Sequence, residues 1–102
     1  MNFQRKVANM RSRLQGIWPH PDVIGSWAYL VTEVAEVGDV LLRMLRPGDK
    51  RSHESLEDLQ LQLRKELGDV MMMLATLANL FDIDLEEVCA ERCENKIKKY
   101  LN

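Results

Sequence analysis

Apolar residues recur along this chain with a helical period, and that period constrains the fold more than any other feature of the sequence. They return every three or four positions, as they do along one face of an α-helix, and no segment alternates convincingly over the length of a strand. The first such row is Phe3, Val7, Met10 and Leu14. A chain of 102 residues has the size of one domain. The sequence therefore predicts an all-α protein that forms a single domain over residues 1–102.

Capping residues and helix breakers divide the chain into four predicted helices. The first ends at Gly16, because glycine readily adopts the left-handed backbone that closes a helix. Asp22 or Ser26 can cap the second helix, and capping-box patterns begin at Ser55 and Asp84. The predicted helices cover about 3–15, 23–45, 55–80 and 84–100. Their short connections predict an antiparallel four-helix bundle, and the thin core of so small a domain favours completion of the bundle by oligomerisation.

Two details of the packing are also predicted. The core stripe of the second helix is expected to consist of Leu30, Val34, Val37 and Leu41. Gly38 and Gly68 lie inside the second and third helices, where a glycine costs roughly 1 kcal/mol. We therefore expect a close approach of the two backbones at these glycines.

Charge and composition exclude several classes of protein. A formal net charge of −2 argues against a general nucleic-acid binder. No apolar run reaches the ~18 residues of a membrane span, and the N-terminus lacks the apolar region of a signal peptide. We therefore expect a cytoplasmic protein without a membrane partner. In that reducing compartment Cys89 and Cys93 are expected to be buried or half-buried thiols rather than a disulfide.

Two pairs of acidic residues interrupt the apolar pattern of the second and third helices. They are Glu33 with Glu36, and Glu66 with Asp69. Residues three apart lie about 60° from each other around a helix, with Cβ atoms roughly 5–6 Å apart. Because each pair has apolar neighbours on its own face, we predict that the two pairs face each other across a helix–helix contact. Four carboxylates brought together would repel one another, so their burial predicts divalent cations between them.

The types of ligand restrict the metal. Carboxylates without a nearby His or Cys favour Mg²⁺, or Mn²⁺, over zinc. A di-iron or di-manganese bundle needs Glu-x-x-His on two helices, whereas the residues three after Glu33 and Glu66 are acidic. The Asp-x-Asp-x-Asp-Gly pattern of a calcium-binding EF-hand is missing. The alternative without a metal is that the four acids are solvated positions that fall at this spacing by chance.

The two acidic pairs belong to longer motifs. Glu33-x-x-Glu36 is followed, after a spacer of about thirty residues, by Glu66-Leu-Gly-Asp69-Val-Met-Met-Met-Leu-Ala, and Phe81-Asp-Ile-Asp-Leu-Glu-Glu-Val stands at the entry to the last helix. With these motifs the sequence resembles the MazG-like family of all-α nucleoside triphosphate pyrophosphohydrolases, whose superfamily also contains dimeric dUTPases and phosphoribosyl-ATP pyrophosphatase. The resemblance covers about residues 26–100 and implies a MazG-like catalytic core at about 23–100.

The resemblance implies Mg²⁺-dependent hydrolysis of a (d)NTP to the (d)NMP and pyrophosphate, in the housecleaning of the nucleotide pool. It assigns the metal-binding and catalytic roles to Glu33, Glu36, Glu66 and Asp69, one of which acts as the general base. The expected assembly is a homodimer or a homotetramer built as a dimer of dimers.

The last helix carries a variant of a basic pattern common in the family, Lys-x-x-x-Asn-x-x-Arg-Tyr. The corresponding residues are Arg92, Lys96, Lys99 and Tyr100, with Asn95 one residue early. We assign contacts with the substrate phosphates to Arg92, Asn95, Lys96 and Lys99. A lysine in place of the family's arginine lacks the planar guanidinium that can donate two parallel hydrogen bonds to one phosphate. A basic helix C-terminus that complements the helix dipole is the alternative for each residue.

Trp18 is assigned a contact with the nucleobase, because stacking on an aromatic ring tolerates any base; packing in the core or at a subunit interface is the alternative. Two other functions remain open at this point. The chain is either a catalytically silent helical module for oligomerisation or partner binding, or an enzyme of the same superfamily with another triphosphate-bearing substrate such as phosphoribosyl-ATP.

Overall fold

The computed structural model describes residues 2–17, 22–46 and 54–101, and in this part of the chain it confirms an all-α fold with four helices. The helices are α1 (Phe3–Arg13), α2 (Val23–Leu45), α3 (Leu56–Leu80) and α4 (Leu85–Leu101). The ends of α2 and α3 agree with the predicted ones, while α1 ends two residues earlier and α4 one residue later than predicted. Among the helices described, none combines the length and the apolar character needed to cross a membrane.

Side-chain caps begin the helices where the sequence predicts them. The carboxylate of Asp22 accepts a hydrogen bond from the N–H three residues further on at 2.7 Å, and the hydroxyl of Ser55 does the same at 3.1 Å. The carboxylate of Asp84 accepts from the N–H groups two and three residues further on, at 3.1 and 3.2 Å. These caps satisfy N–H groups that have no partner within the first helical turn.

Left-handed residues follow the C-termini of α1 and α3. Gly16 has a φ of 83°, but α1 ends before it, at Arg13; Gly16 lies in the next turn, where the N–H of Ile17 donates to the carbonyl of Leu14 at 2.9 Å. Asp82, with a φ of 56°, closes α3. The N–H of Ile83 donates to the carbonyl of Ala78 at 3.0 Å, and the N–H of Asp82 donates to the carbonyl of Asn79 at 3.3 Å. This pair of hydrogen bonds is the Schellman motif, with aspartate in the position that glycine usually takes.

The chain divides into two compact units at a boundary inside α3. The first unit contains Met1–His20 and Ala75–Asn102, and the second contains Pro21–Leu74. The first therefore holds α1, the end of α3 and α4, whereas the second holds α2 and most of α3.

A buried glutamine anchors α1 in the first unit. Gln4 is 7% exposed, and its Nε2 donates to the carbonyl of Ile83 at 2.7 Å and to Oδ1 of Asn79 at 3.1 Å. Its Oε1 accepts from the N–H of Leu85 at 2.7 Å. Asn79 in turn donates to the carbonyl of Gln4 at 3.1 Å. These bonds hold the first turn of α1 against the turn that joins α3 to α4.

Helix α4 has no fully buried side chain among its described residues. Cys89 and Cys93 are free thiols, and both are exposed. The prediction that they are buried or half-buried is therefore wrong, because the helix that carries them packs little of its surface within this chain.

In the second unit, α2 and α3 run antiparallel. The guanidinium of Arg43, near the end of α2, donates to Glu54 at 2.7 Å and to Gln62 at 2.9 Å, both near the start of α3. It also pairs with Asp39 at 3.3 Å, and the amide of Gln62 donates to Glu54. This network joins the end of one helix to the beginning of the next.

The buried side of α2 differs from the predicted core stripe. Ser26 is fully buried and Val40 is 2% exposed, and most of the half-buried residues between and beyond them belong to the same side. Val34 and Leu41, which were expected in the core, are 53% and 43% exposed. The reason is that α2 has two neighbouring apolar faces, and the predicted stripe takes residues from both.

The second apolar face of α2 is exposed along the whole helix. We call it the outer stripe, and its members, which are between 43% and 78% exposed, are Trp27, Val31, Val34, Leu41, Leu42 and Leu45. Gly38 falls on the same face, and a Cβ added there would meet nothing within 4 Å; the same is true of Gly68. The predicted close approach of two backbones at these glycines is therefore wrong within this chain.

Candidate metal centre

Carboxylates from α2 and α3 come together in the second unit. Glu33, Glu66 and Asp69 each offer one carboxylate oxygen, and these three oxygens lie within 4.8 Å of one another. All three residues are half-buried. The antiparallel course of the two helices explains the meeting, because it sets the middle of α2 beside the middle of α3.

The two glutamates of this cluster occupy positions on the buried sides of their helices. Glu33 is seven residues from Ser26 on one side and from Val40 on the other, and both of these are buried. Glu66 is likewise seven residues from two buried residues of α3, Leu59 and Met73. Seven residues are close to two helical turns, so each glutamate lies in line with core residues rather than on the solvated side.

Two oxygens of the cluster have no protein partner. Oε2 of Glu33 and Oε2 of Glu66 are buried and accept no hydrogen bond. A buried polar atom without a partner costs about 1–3 kcal/mol, and more where the group is charged. A divalent cation would satisfy both oxygens, and an all-carboxylate ligand set suits the hard ions Mg²⁺ and Mn²⁺. The residues present therefore fit the cofactor that the sequence predicts.

Glu36, the fourth predicted ligand, lies at the exposed edge of the cluster and is not one of the three residues whose oxygens meet. A hydrogen bond with the carboxyl of Glu66 is the largest cause that raises the pKa of Glu36 to about 7, followed by the negative charge of Glu33. Without a cation, the Glu36 carboxyl therefore takes up its proton near neutral pH. Three predicted acids are brought together, and the fourth lies beside them.

Lys65 is a neighbour of the cluster that is not among the residues predicted from the sequence. Its Nζ lies 3.3 Å from Oε1 of Glu66 and 3.8 Å from Oδ2 of Asp69. The hydrogen bond to Glu66 is the largest cause that raises the pKa of Lys65, and the charges of Glu66 and Asp69 add to it. The spacing of four residues between Lys65 and Asp69 is typical of ion pairs along a helix and could have identified this contact.

The residues predicted to contact phosphates lie in the first unit, on α4. Arg92, Asn95, Lys96 and Lys99 are all exposed. The three basic residues fall within about 60° of one another around the helix, and Nζ of Lys99 lies 5.4 Å from the centre of the Tyr100 ring. Their contacts with phosphate stay a prediction.

Trp18, the predicted base contact, lies outside the described residues. Its assignment therefore stays a prediction as well.

Comparison with known protein families gives a match over most of the chain. The model of the MazG nucleotide pyrophosphohydrolase domain matches residues 25–100. Neither the comparison with curated proteins nor that with solved structures returns a match. The matched residues include both acidic pairs and nearly all of α4. A match of this extent shows that the chain belongs to the MazG nucleotide pyrophosphohydrolase family.

Proposed function

We propose that this protein hydrolyses a nucleoside or deoxynucleoside triphosphate to the monophosphate and pyrophosphate, with Mg²⁺ as its cofactor. Family membership supports a pyrophosphohydrolase that acts on nucleotides. The proposed dependence on Mg²⁺ is supported by the meeting of three carboxylate oxygens within 4.8 Å. Two buried carboxylate oxygens of the same residues have no hydrogen-bond partner. Such an arrangement is costly in a protein without a cation and favourable in one that binds it.

Glu33, Glu66 and Asp69 are the residues that would hold the ion. The bound ion would neutralise charge on the phosphate oxygens and acidify a water molecule. The half-buried position of the three carboxylates restricts their motion, and it limits competition from bulk water for the same oxygens.

Glu36 is the proposed general base. Because it is exposed and lies outside the three-oxygen cluster, its carboxylate is available to take the proton of the attacking water. The nearby Glu66 carboxyl is the largest cause of the raised pKa of Glu36, so the Glu36 carboxyl lies beside a proposed metal ligand. Position therefore favours Glu36 over the other three acids for this role.

The basic face of α4 is the proposed binding surface for the phosphates of the substrate. Arg92, Lys96 and Lys99 lie together on it, and Asn95 adds an amide donor. Trp18 is the proposed contact for the base. A cytoplasmic location and a role in clearing surplus or damaged nucleotides belong to the same proposal, since nucleotide pools lie there and the two cysteines are free thiols.

A panel of substrates tests the proposed reaction. We expect the wild-type protein with Mg²⁺ to release equal amounts of monophosphate and pyrophosphate from at least one standard or modified (d)NTP, and EDTA to abolish this turnover. Separation of the products by ion-exchange chromatography distinguishes cleavage between the α- and β-phosphates from release of the terminal phosphate. Turnover of phosphoribosyl-ATP alone would assign a different substrate. Absence of metal-dependent turnover with every triphosphate would instead favour the non-catalytic helical module.

We further propose that the active protein is a homodimer, or a dimer of dimers, in which a second copy of the chain covers the outer stripe of α2. The stripe is about 27 Å long, and soluble monomers rarely leave so continuous an apolar surface exposed. Its members recur at spacings of mostly four and three residues, which is the spacing of seams between packed helices. A second copy of α2 has the complementary surface.

Val34→Lys tests the dimer. Val34 lies in the middle of the outer stripe and is 53% exposed, so lysine there should leave the fold of one chain intact. In a dimer, the same lysine would bury an unpaired charge, and we expect the dimer dissociation constant to rise by at least about 100-fold. Sedimentation equilibrium measures it. Leu61→Lys, on an exposed residue of α3 away from the stripe, is the matched control; equal dissociation constants for the wild type and Val34→Lys would contradict the proposed interface.

A further inference from the structure

An ammonium group occupies the neighbourhood in which a metal ion would bind. Nζ of Lys65 lies 3.3 Å from Oε1 of Glu66 and 3.8 Å from Oδ2 of Asp69, and both carboxylates belong to the three-oxygen cluster. The side chain of Lys65 is 71% exposed. Its position therefore depends on the attraction of the carboxylates and little on packing.

We propose that Lys65 is a resident counter-ion that Mg²⁺ must displace from Glu66 and Asp69, and that the displaced ammonium then pairs with the phosphates of the bound nucleotide. This inference rests on the proposed function, because it takes Glu66 and Asp69 as metal ligands. On this inference, Lys65 has two opposite effects: it weakens the binding of the metal ion alone, and it strengthens the binding of the nucleotide once the metal is present.

The first effect follows from competition for the same two carboxylates, those of Glu66 and Asp69. A divalent cation and an ammonium repel each other, and a carboxylate that binds the ion has less negative charge left for the lysine. Lysine is a compact charge on a flexible stem, and this one is exposed, so it can leave the carboxylates without disturbing the helix. Lys65 therefore weakens the binding of the bare metal ion.

The second effect follows from the place where Lys65 is anchored. It directly precedes Glu66 in α3, so the displaced ammonium stays near the ion and near whatever the ion binds. A triphosphate brings several negative oxygens to that place, and ammonium–phosphate hydrogen bonds are among the stronger ones in proteins. Lys65 therefore strengthens nucleotide binding once the metal is present. In thermodynamic terms, it couples the binding of metal and nucleotide.

Two binding measurements on Lys65→Met test the inference. We expect Mn²⁺ alone, followed by electron paramagnetic resonance, to bind the variant about 3- to 10-fold more tightly than the wild type. We expect α,β-methylene-dATP, titrated calorimetrically into the Mn²⁺-saturated protein, to bind about 10-fold more weakly. Lys65→Arg keeps the charge and should restore both affinities to within about threefold of the wild type.

Arg64→Met is the matched control, because it removes one positive charge from the neighbouring residue of the same helix. Arg64 projects about 160° away from Glu66 around α3, so both affinities should change less than about twofold. If Lys65→Met behaves like Arg64→Met, or binds Mn²⁺ more weakly than the wild type, the counter-ion role is overturned while the metal site stands. A wild-type protein that binds no Mn²⁺ would overturn the metal site together with this inference. Absence of analogue binding to the Mn²⁺-loaded wild type would overturn the second effect.

Discussion

Glu66→Gln is expected to abolish binding of Mg²⁺ and to lower kcat/KM by at least about 1,000-fold. Glu66 belongs to the three-oxygen cluster and contributes one of its two buried oxygens without a partner, so the amide removes a ligand at the centre of the proposed metal site. Calorimetric titration with Mg²⁺ and steady-state turnover measure the two losses. A variant that keeps wild-type affinity for the metal would show that the ion binds elsewhere.

Thermal unfolding distinguishes loss of the metal from loss of the fold. An ion present at 100 times its dissociation constant stabilises a protein by about 2.7 kcal/mol, which corresponds to a rise of several degrees in Tm for a chain of this size. We expect Mg²⁺ to raise the Tm of the wild type and to leave that of Glu66→Gln unchanged. Without metal, Glu66→Gln should be no less stable than the wild type, because it relieves repulsion within the cluster. Glu57→Gln, the same change at an exposed position of α3, should respond to Mg²⁺ as the wild type does.

The helix boundaries could be predicted because the signals for them are local. Asp22, Ser55 and Asp84 cap the helices with contacts that span only two or three residues, and the left-handed backbone of Gly16 in the turn after α1 is a preference of glycine itself. The meeting of the acids could be anticipated for a similar reason. Glu33 and Glu66 each lie in line with apolar residues of their own helix, and a short connection makes neighbouring helices antiparallel.

The features that could not be predicted depend on contacts between distant parts of the chain. Gln4 looks like an ordinary polar residue of α1, yet it bonds to residues about 80 positions away. Val34 and Leu41 belong to one of two apolar faces of α2, and periodicity alone does not tell which face the rest of the chain covers. The helical period shows which faces of a helix are apolar. Which of these faces is buried depends on where the neighbouring helices pack, and the period does not show that.

Glu36 differs from the other acids in a way that the sequence pattern does not reveal. Glu33 and Glu36 have the same side chain, but the first lies between buried residues while the second is exposed at the edge. The structure therefore separates residues that the pattern treats as one set of four ligands. This difference is the ground on which we propose Glu36 as the general base and the other three acids as metal ligands.

Glu36→Gln is expected to lower kcat by about 100- to 10,000-fold while the affinity for Mg²⁺ stays within about fivefold of the wild type. Glutamine keeps the size of the side chain and its capacity for a hydrogen bond with Glu66, but it cannot accept the proton of water. Turnover and calorimetric titration of the same preparations separate the two effects. Parallel loss of metal affinity and kcat would make Glu36 a ligand and contradict its role as the base. Glu94→Gln, an exposed change on α4, controls for removal of a negative charge.

The pH dependence of stability tests the environment of Glu36 independently of turnover. Its pKa is raised from 4.5 to about 7, so the folded protein holds this proton more tightly than the unfolded chain does. The resulting stabilisation is complete below about pH 4.5 and is lost as the pH rises through about 7. Glutamine has no proton to lose, so in EDTA the Tm of Glu36→Gln should exceed that of the wild type at pH 8 and approach it at pH 4.5. At pH 8, Mg²⁺ should reduce this difference, because the cation relieves the repulsion that the ionised Glu36 creates. A difference in Tm that does not change with pH would show that Glu66 and Glu33 do not hold Glu36 in its protonated form.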